Sequence, residues 1–201
     1  MNGVDPDALA EWQRRGIEER FNQLRERIPL LSRVAERVGV DELRRVEDAV
    51  PLFFDHAHYK SYPSSLIERK RFDALTAWLD RLTTIDLSDI DVSGCASLDD
   101  WLDVLDGESE LRVCHSSGTG GSFSFIPWSV NEFDTLGAAF AANFGQEFGT
   151  DEDCRTAEGM EVIWPYFRFG GGMLTRQNDV IEKYVAKAPE RFHAAFPGRV
   201  S

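Results

Sequence analysis

The chain has 201 residues, of which 42% are apolar and 28% charged. These are the proportions of a folded domain with a sizeable core, and they exclude a disordered, collagenous or membrane-embedded chain. Thirty-five acids against 22 bases leave a net charge of −13, which disfavours nucleic acid or an anionic membrane as the main partner. No apolar run approaches the roughly 18–20 residues of a spanning helix, and the first residues (MNGVDPDALAEWQRR) lack the apolar centre of a signal peptide. Cys95, Cys114 and Cys154 are widely spaced and form no CxxC. The expectation is therefore a cytoplasmic protein with reduced thiols.

In chain order, Ile17, Phe21, Leu24, Ile28 and Leu31 follow helical spacing and set one apolar stripe against an Arg/Glu face. Pro29 predicts a break near Arg27–Ile28, with a second helix through Val38 and a stop at Gly39. Asp41 is placed to cap a helix over residues 42–49, which Pro51 ends. Residues 51–65 (PLFFDHAHYKSYPSS) read as an aromatic loop leading to Ser64 or Ser65 as a cap. Leu66, Ile67, Phe72, Leu75, Trp78, Leu79 and Leu82 then predict an amphipathic helix. Between Asp86 and Glu110 there are nine acids and no base, with a short helix through Leu98, Trp101, Leu102 and Leu105 capped by Ser97.

Beyond Leu111 the composition changes. A β-prone run (residues 111–114) enters a Ser/Gly loop (His115–Ser122), and a second run, residues 123–127, leaves it. Ser129 caps an Ala/Phe-rich helix to about Phe148. A polar connector over residues 149–155, a buried strand over 161–166, a mobile turn at Gly170–Gly172 and a helix over 178–187 complete the order. The fold class is mixed α+β: a helical leader over 1–110, then a β-loop-β-α-β-α portion over 111–201 that begins a layered α/β domain.

The loop is the segment that carries chemistry. Its glycines open backbone torsions closed to other residues, and its amides and hydroxyls offer neutral donors that suit a phosphate. The alternative is a glycine-rich turn that binds nothing. A Walker A loop would need a Lys after the glycines, and a dinucleotide fingerprint would need the loop to open directly into a helix.

The run SSGTGGSFSF resembles the phosphate-binding loop of the adenylate-forming (AMP-binding) superfamily. The preceding HYKSYPSSLIERKRFDALTAWLDRLTTIDLSDIDVSGCASLDDWL is similar to the leader of its phenylacetate–CoA ligase and acyl-protein synthetase branch. The resemblance covers roughly residues 15–200. It implies that Ser116, Ser117, Gly118, Thr119 and Gly121 contact the β- and γ-phosphates of ATP, with Gly120 in place of a second Thr. Ser122 and Ser124 stand where lysines often occur, so charge neutralisation falls to Mg²⁺ and to residues elsewhere. It also implies an ATP-dependent, AMP-forming ligase that activates a carboxylic acid and passes the acyl group to coenzyme A or a protein thiol. The later superfamily motifs are absent, so the chain corresponds to the N-terminal part of such an enzyme, inactive alone. That leaves room for a homo-oligomer or a missing C-terminal half. The reading from another class is a non-catalytic remnant or partner-docking module.

Outside the loop, His115, Trp164 and Tyr166 are candidates for a substrate pocket, and Arg168 for a surface ion pair. His56 and His58 lack a third ligand at suitable spacing, so no metal site is assigned. Cys114 and His115, adjacent on a strand, face opposite ways and form no nucleophilic pair. No side chain is an evident general base, and a carboxylate nucleophile needs none.

Overall fold

The computed structural model describes residues 5–116, 121–148 and 159–200. It is a mixed α+β chain of seven α-helices and four strands among those residues. Helix α1 (Pro6–Arg25) starts on Asp5, whose carboxylate accepts the Asp7 N–H, with Pro6 in the first turn where no partner for its nitrogen is needed. Helix α2 (Pro29–Val38) begins on Pro29 and closes on Gly39 at φ +71°. Phe21, Ile28, Leu31 and Val34 bury their stripe against Leu43, Ala49 and Leu52, a small core of the N-terminal region.

Two expectations in the leader are corrected. The helix foreseen over 42–49 is instead a 3-10 segment over Val46–Leu52, and Pro51 lies inside it. The Asp48 carboxylate accepts the N–H groups of Arg44 and Arg45, so the acid that organises this start is Asp48 and not Asp41. The helix foreseen from Leu66 to Leu82 is split into α3 (Ser65–Glu68) and α4 (Phe72–Leu79), followed by a 3-10 turn over Asp80–Leu82. Lys70 in left-handed backbone (φ +54°) makes the break, and Ser64 makes no side-chain cap. The split lets the buried residues Phe72, Leu75 and Leu79 face the same core as Leu82 and Trp101.

Helix α5 (Leu98–Glu108) carries the foreseen cap: Ser97 Oγ accepts the Asp100 N–H at 3.1 Å, and the Asp100 carboxylate accepts the Ser97 N–H at 2.9 Å. Its buried face, Trp101, Leu102 and Leu105, meets β1 (Leu111–His115). The Trp101 indole donates to Thr76 Oγ1 at 2.8 Å, which satisfies the one polar atom of a fully buried ring. This main core draws on both sides of residue 110, since Leu111, Val113 and Phe125 belong to it with Tyr62, Trp78 and Leu87.

Strand β1 pairs antiparallel with β2 (Phe125–Ser129), His115 opposite Phe125 and Leu111 opposite Ser129. Ser129 Oγ accepts the Glu132 N–H and the Glu132 carboxylate accepts the Ser129 N–H, the foreseen start of α6 (Val130–Phe148). Strand β3 (Val162–Phe169), helix α7 (Met173–Ile181) with a π turn over Glu182–Ala186, and β4 (Phe192–Arg199) form a parallel β-α-β unit. Strand β4 was not foreseen, and α7 starts five residues earlier than expected. The strand read as buried is half open: Ile163 is 83% exposed and Phe169 49%. Its inner residues Val162 and Trp164 pack on Ile181, Val185 and Phe192, while the opposite face meets solvent. The connector foreseen over 149–155, including Cys154, lies outside the described residues except as sequence. No helix among the described residues is long and apolar enough to cross a membrane.

Candidate functional site

The Ser/Gly loop joins β1 to β2, so its two ends are held by strand pairing. The Ser116 N–H donates to the Ser124 carbonyl at 3.1 Å, and the Ser124 N–H donates to Ser116 Oγ at 2.9 Å. Ser116 therefore braces the hairpin with its hydroxyl oxygen. Gly121 takes φ +85°, a torsion that explains a glycine at that position. Ser122 is half-buried on the return arm. Ser117, Gly118, Thr119 and Gly120, the tip foreseen to hold phosphates, lie outside the described residues.

The base of the hairpin is packed hard. Phe123 stands edge-on to His115, with ring centroids 5.3 Å apart, and the Tyr62 hydroxyl donates to the Phe123 carbonyl at 2.9 Å. On its other edge β1 meets the turn after β3: the His115 N–H donates to the Gly171 carbonyl at 2.9 Å, and His115 pairs with Gly172. The turn foreseen as mobile is thus tied to β1. A methyl at residue 171 would lie 2.5 Å from Leu102 Cδ1 and 2.8 Å from His115 Nε2, so a larger residue there would have to displace one of these side chains.

These contacts enclose a groove of about 730 Å³ beside the loop, lined by Ile67, Leu98, Phe123, Tyr166, Met173 and Leu174, with Ser97, Asp99, His115 and Ser116 as its polar groups. Its size is that of a small-molecule site. Two of the three foreseen pocket residues, His115 and Tyr166, are brought here. Trp164 is not: it packs against Phe192 at 6.4 Å on the inner face of β3, and the register irregularity between Trp164 and Phe167 breaks the alternation that would otherwise put residues 164 and 166 on one face. Leu98, Met173, Leu174 and Val200 also line the groove and were not foreseen; they come from α5, α7 and the residue that follows β4.

Other candidates take structural parts. Cys114 is buried against Phe133 and Val180, and loss of solvent pushes its thiol up to about 12, which leaves it an inert core residue. His58 Nδ1 lies 2.7 Å from Asp55 Oδ1 and stacks on Phe54, a local brace. Arg168 donates to Asp179 at 2.9 Å and Glu182 at 2.7 Å and covers the rings of Phe169 and Phe192, so its ion pair links β3 to α7. Asp106 is the exception within the acidic stretch. Burial pushes its carboxyl up against the pull of Arg176, which also donates to the Val113 carbonyl. Among the described residues no three or more of His, Cys, Asp and Glu gather to hold a metal ion.

No family model, curated protein or solved structure matches this chain.

Proposed function

We propose that the chain is the N-terminal part of an ATP-dependent, AMP-forming acyl-activating enzyme, with the loop between β1 and β2 as its triphosphate clamp. The observation that carries this reading is the anchoring of the loop. Its ends are cross-bonded through Ser116 and Ser124 and backed by Tyr62, so its donors stand on a rigid base beside a groove of ligand size. Neutral donors carried on such a base stabilise the charge that develops on departing pyrophosphate. The loop carries no Lys, so a magnesium ion arriving with the nucleotide supplies the positive charge. Such an ion keeps water and phosphate oxygens as ligands and needs few from protein, which fits a groove whose oxygen-bearing side chains are Ser97, Asp99, Ser116 and Tyr166. The carboxylic acid and the acceptor, coenzyme A or a protein thiol, are substrates of the complete reaction.

The test is titration of the full chain with magnesium and ATP, followed by phosphorus NMR and calorimetry. Binding of ATP, lost in Gly121→Val, is the expected result. Carboxylate-dependent ATP–pyrophosphate exchange by these 201 residues is expected to be undetectable. Failure of ATP to bind overturns the reading.

A second reading, a non-catalytic docking module, is favoured by one observation. The outer face of the β3–β4 pair leaves Ile163 83%, Phe196 53% and Phe169 49% exposed, and parallel strands are ordinarily covered on both faces. Light scattering that shows self-association, abolished by Ile163→Lys, together with no ATP binding, would select it.

A further inference from the structure

We infer that the small cavity between β1, the first turn of α6 and α7 is a binding site for a short monocarboxylate, with Arg112 as the group that receives its charge. The cavity shares no residue with the groove beside the loop. The inference therefore goes beyond the proposed activity and requires no nucleotide.

The cavity encloses about 130 Å³, and its cations are Arg112, Arg176 and Lys183. Arg112 spends one nitrogen on the protein: Nη1 donates to the carbonyls of Asp106, Ser109 and Leu111 at 3.0, 3.2 and 2.7 Å, across the end of α5. Its Nε and Nη2 have no acceptor among the described residues. Arg176, whose side chain is 12% exposed, donates from Nε to the Val113 carbonyl and from Nη1 to the Asp106 carboxylate, which leaves Nη2 unspent. The two guanidiniums thus meet at one residue, Asp106, each with N–H groups still to give.

The charges around the cavity do not balance. Its two acids have bases of their own, Asp134 in Lys183 at 2.7 Å and Asp179 in Arg168 at 2.9 Å, while Arg176 answers Asp106. Arg112 is left without a carboxylate partner among the described residues, and its bonds go only to main-chain carbonyls. One negative charge completes the set, and a carboxylate matches the guanidinium fork. A doubly charged phosphate would instead be repelled by Asp134 and Asp179 on the same wall. The rest of the wall is Val130, Phe133 and Val180, which suits a short alkyl body, and α6 brings its positive end there. A cavity of this size holds about six heavy atoms, those of butanoate.

The full chain, with no nucleotide added, is titrated with butanoate, butanamide and inorganic phosphate at constant ionic strength and followed by NMR. Butanoate is expected to bind saturably, at least about tenfold tighter than the other two. Its methyl is expected to show Overhauser contacts to Val130 and Val180. Arg112→Gln, which keeps a donor for the α5 carbonyls, is expected to bring butanoate to the affinity of butanamide. Butanamide or phosphate binding as tightly as butanoate, or binding that survives Arg112→Gln, overturns the inference. Contacts to the groove residues Leu98 and Leu174 in place of Val130 and Val180, or no saturable binding, overturn it as well. Should Arg112→Gln not fold, the Arg112 Nε resonance of the unaltered chain decides: it shifts with butanoate and not with butanamide if the inference holds, and stays fixed with both if it does not.

Discussion

The hydroxyl of Tyr62 donates to the carbonyl of Phe123 at 2.9 Å, across 61 residues of sequence. It joins the aromatic loop ahead of α3 to the return arm of the hairpin, and the Tyr62 ring packs at 4.9 Å from Trp78 and 5.3 Å from Phe125. The helical leader is thereby a support for the loop and shares its core. Tyr62→Phe keeps the ring contacts and removes the bond. It is expected to cost about 1 kcal/mol and to lower Tm by about 2–4 °C, read by thermal melting. An unchanged Tm would mean that the bond contributes nothing to stability.

Gly171→Ala tests the packing beneath His115. The added methyl would meet Leu102 at 2.5 Å and the imidazole at 2.7 Å, both in a filled layer. The expected loss is about 1–3 kcal/mol, with displaced His115 ring resonances by NMR. A variant as stable as the parent, with unmoved resonances, would show that the layer has slack.

The Asp106–Arg176 pair predicts a pH signature. Burial raises the Asp106 carboxyl in the folded chain, so the folded state holds that proton to higher pH than the unfolded one, and stability falls as pH rises from the ordinary aspartate range. Arg176 opposes this rise. Arg176→Met removes the opposition and leaves a largely buried acid alone, at a cost of about 2–3 kcal/mol near neutrality. The penalty is expected to shrink at about pH 4, where the unfolded chain also binds the proton. Denaturant melts of both proteins at the two pH values give the difference directly. A penalty independent of pH would place the loss in the Val113 contact instead.

The thiols are expected to differ in reactivity. Cys114 is fully buried, with its thiol raised to about 12, whereas Cys95 is only partly buried. Iodoacetamide in native buffer followed by site-resolved mass spectrometry should label Cys95 and leave Cys114 untouched until denaturant is added. Labelling of Cys114 at a comparable native rate would show that its core opens readily.

Local chemistry was legible wherever a residue acts through its immediate neighbours. Pro29 breaks the first helix, Gly39 ends the second, and Ser97 and Ser129 open α5 and α6, because each satisfies or forbids backbone bonds within a few positions. The mixed α+β class and the hairpin around the Ser/Gly loop were readable for the same reason, as the β-prone runs flank it directly. Sequence periodicity misled where two arrangements share one spacing. The run from Leu66 to Leu82 looks like one helix, yet Lys70 divides it so that both halves reach the Trp101 core. The apolar run of β3 reads as a covered strand, but alternation and a shifted register send Trp164 inward and leave Ile163 in solvent. The groove belongs wholly to tertiary structure. Its walls come from α5, the hairpin and α7, and the packing of His115 depends on a glycine 56 positions away in sequence. Chain order encodes bonds between near neighbours, while a cavity exists only after distant elements have packed and left space between them.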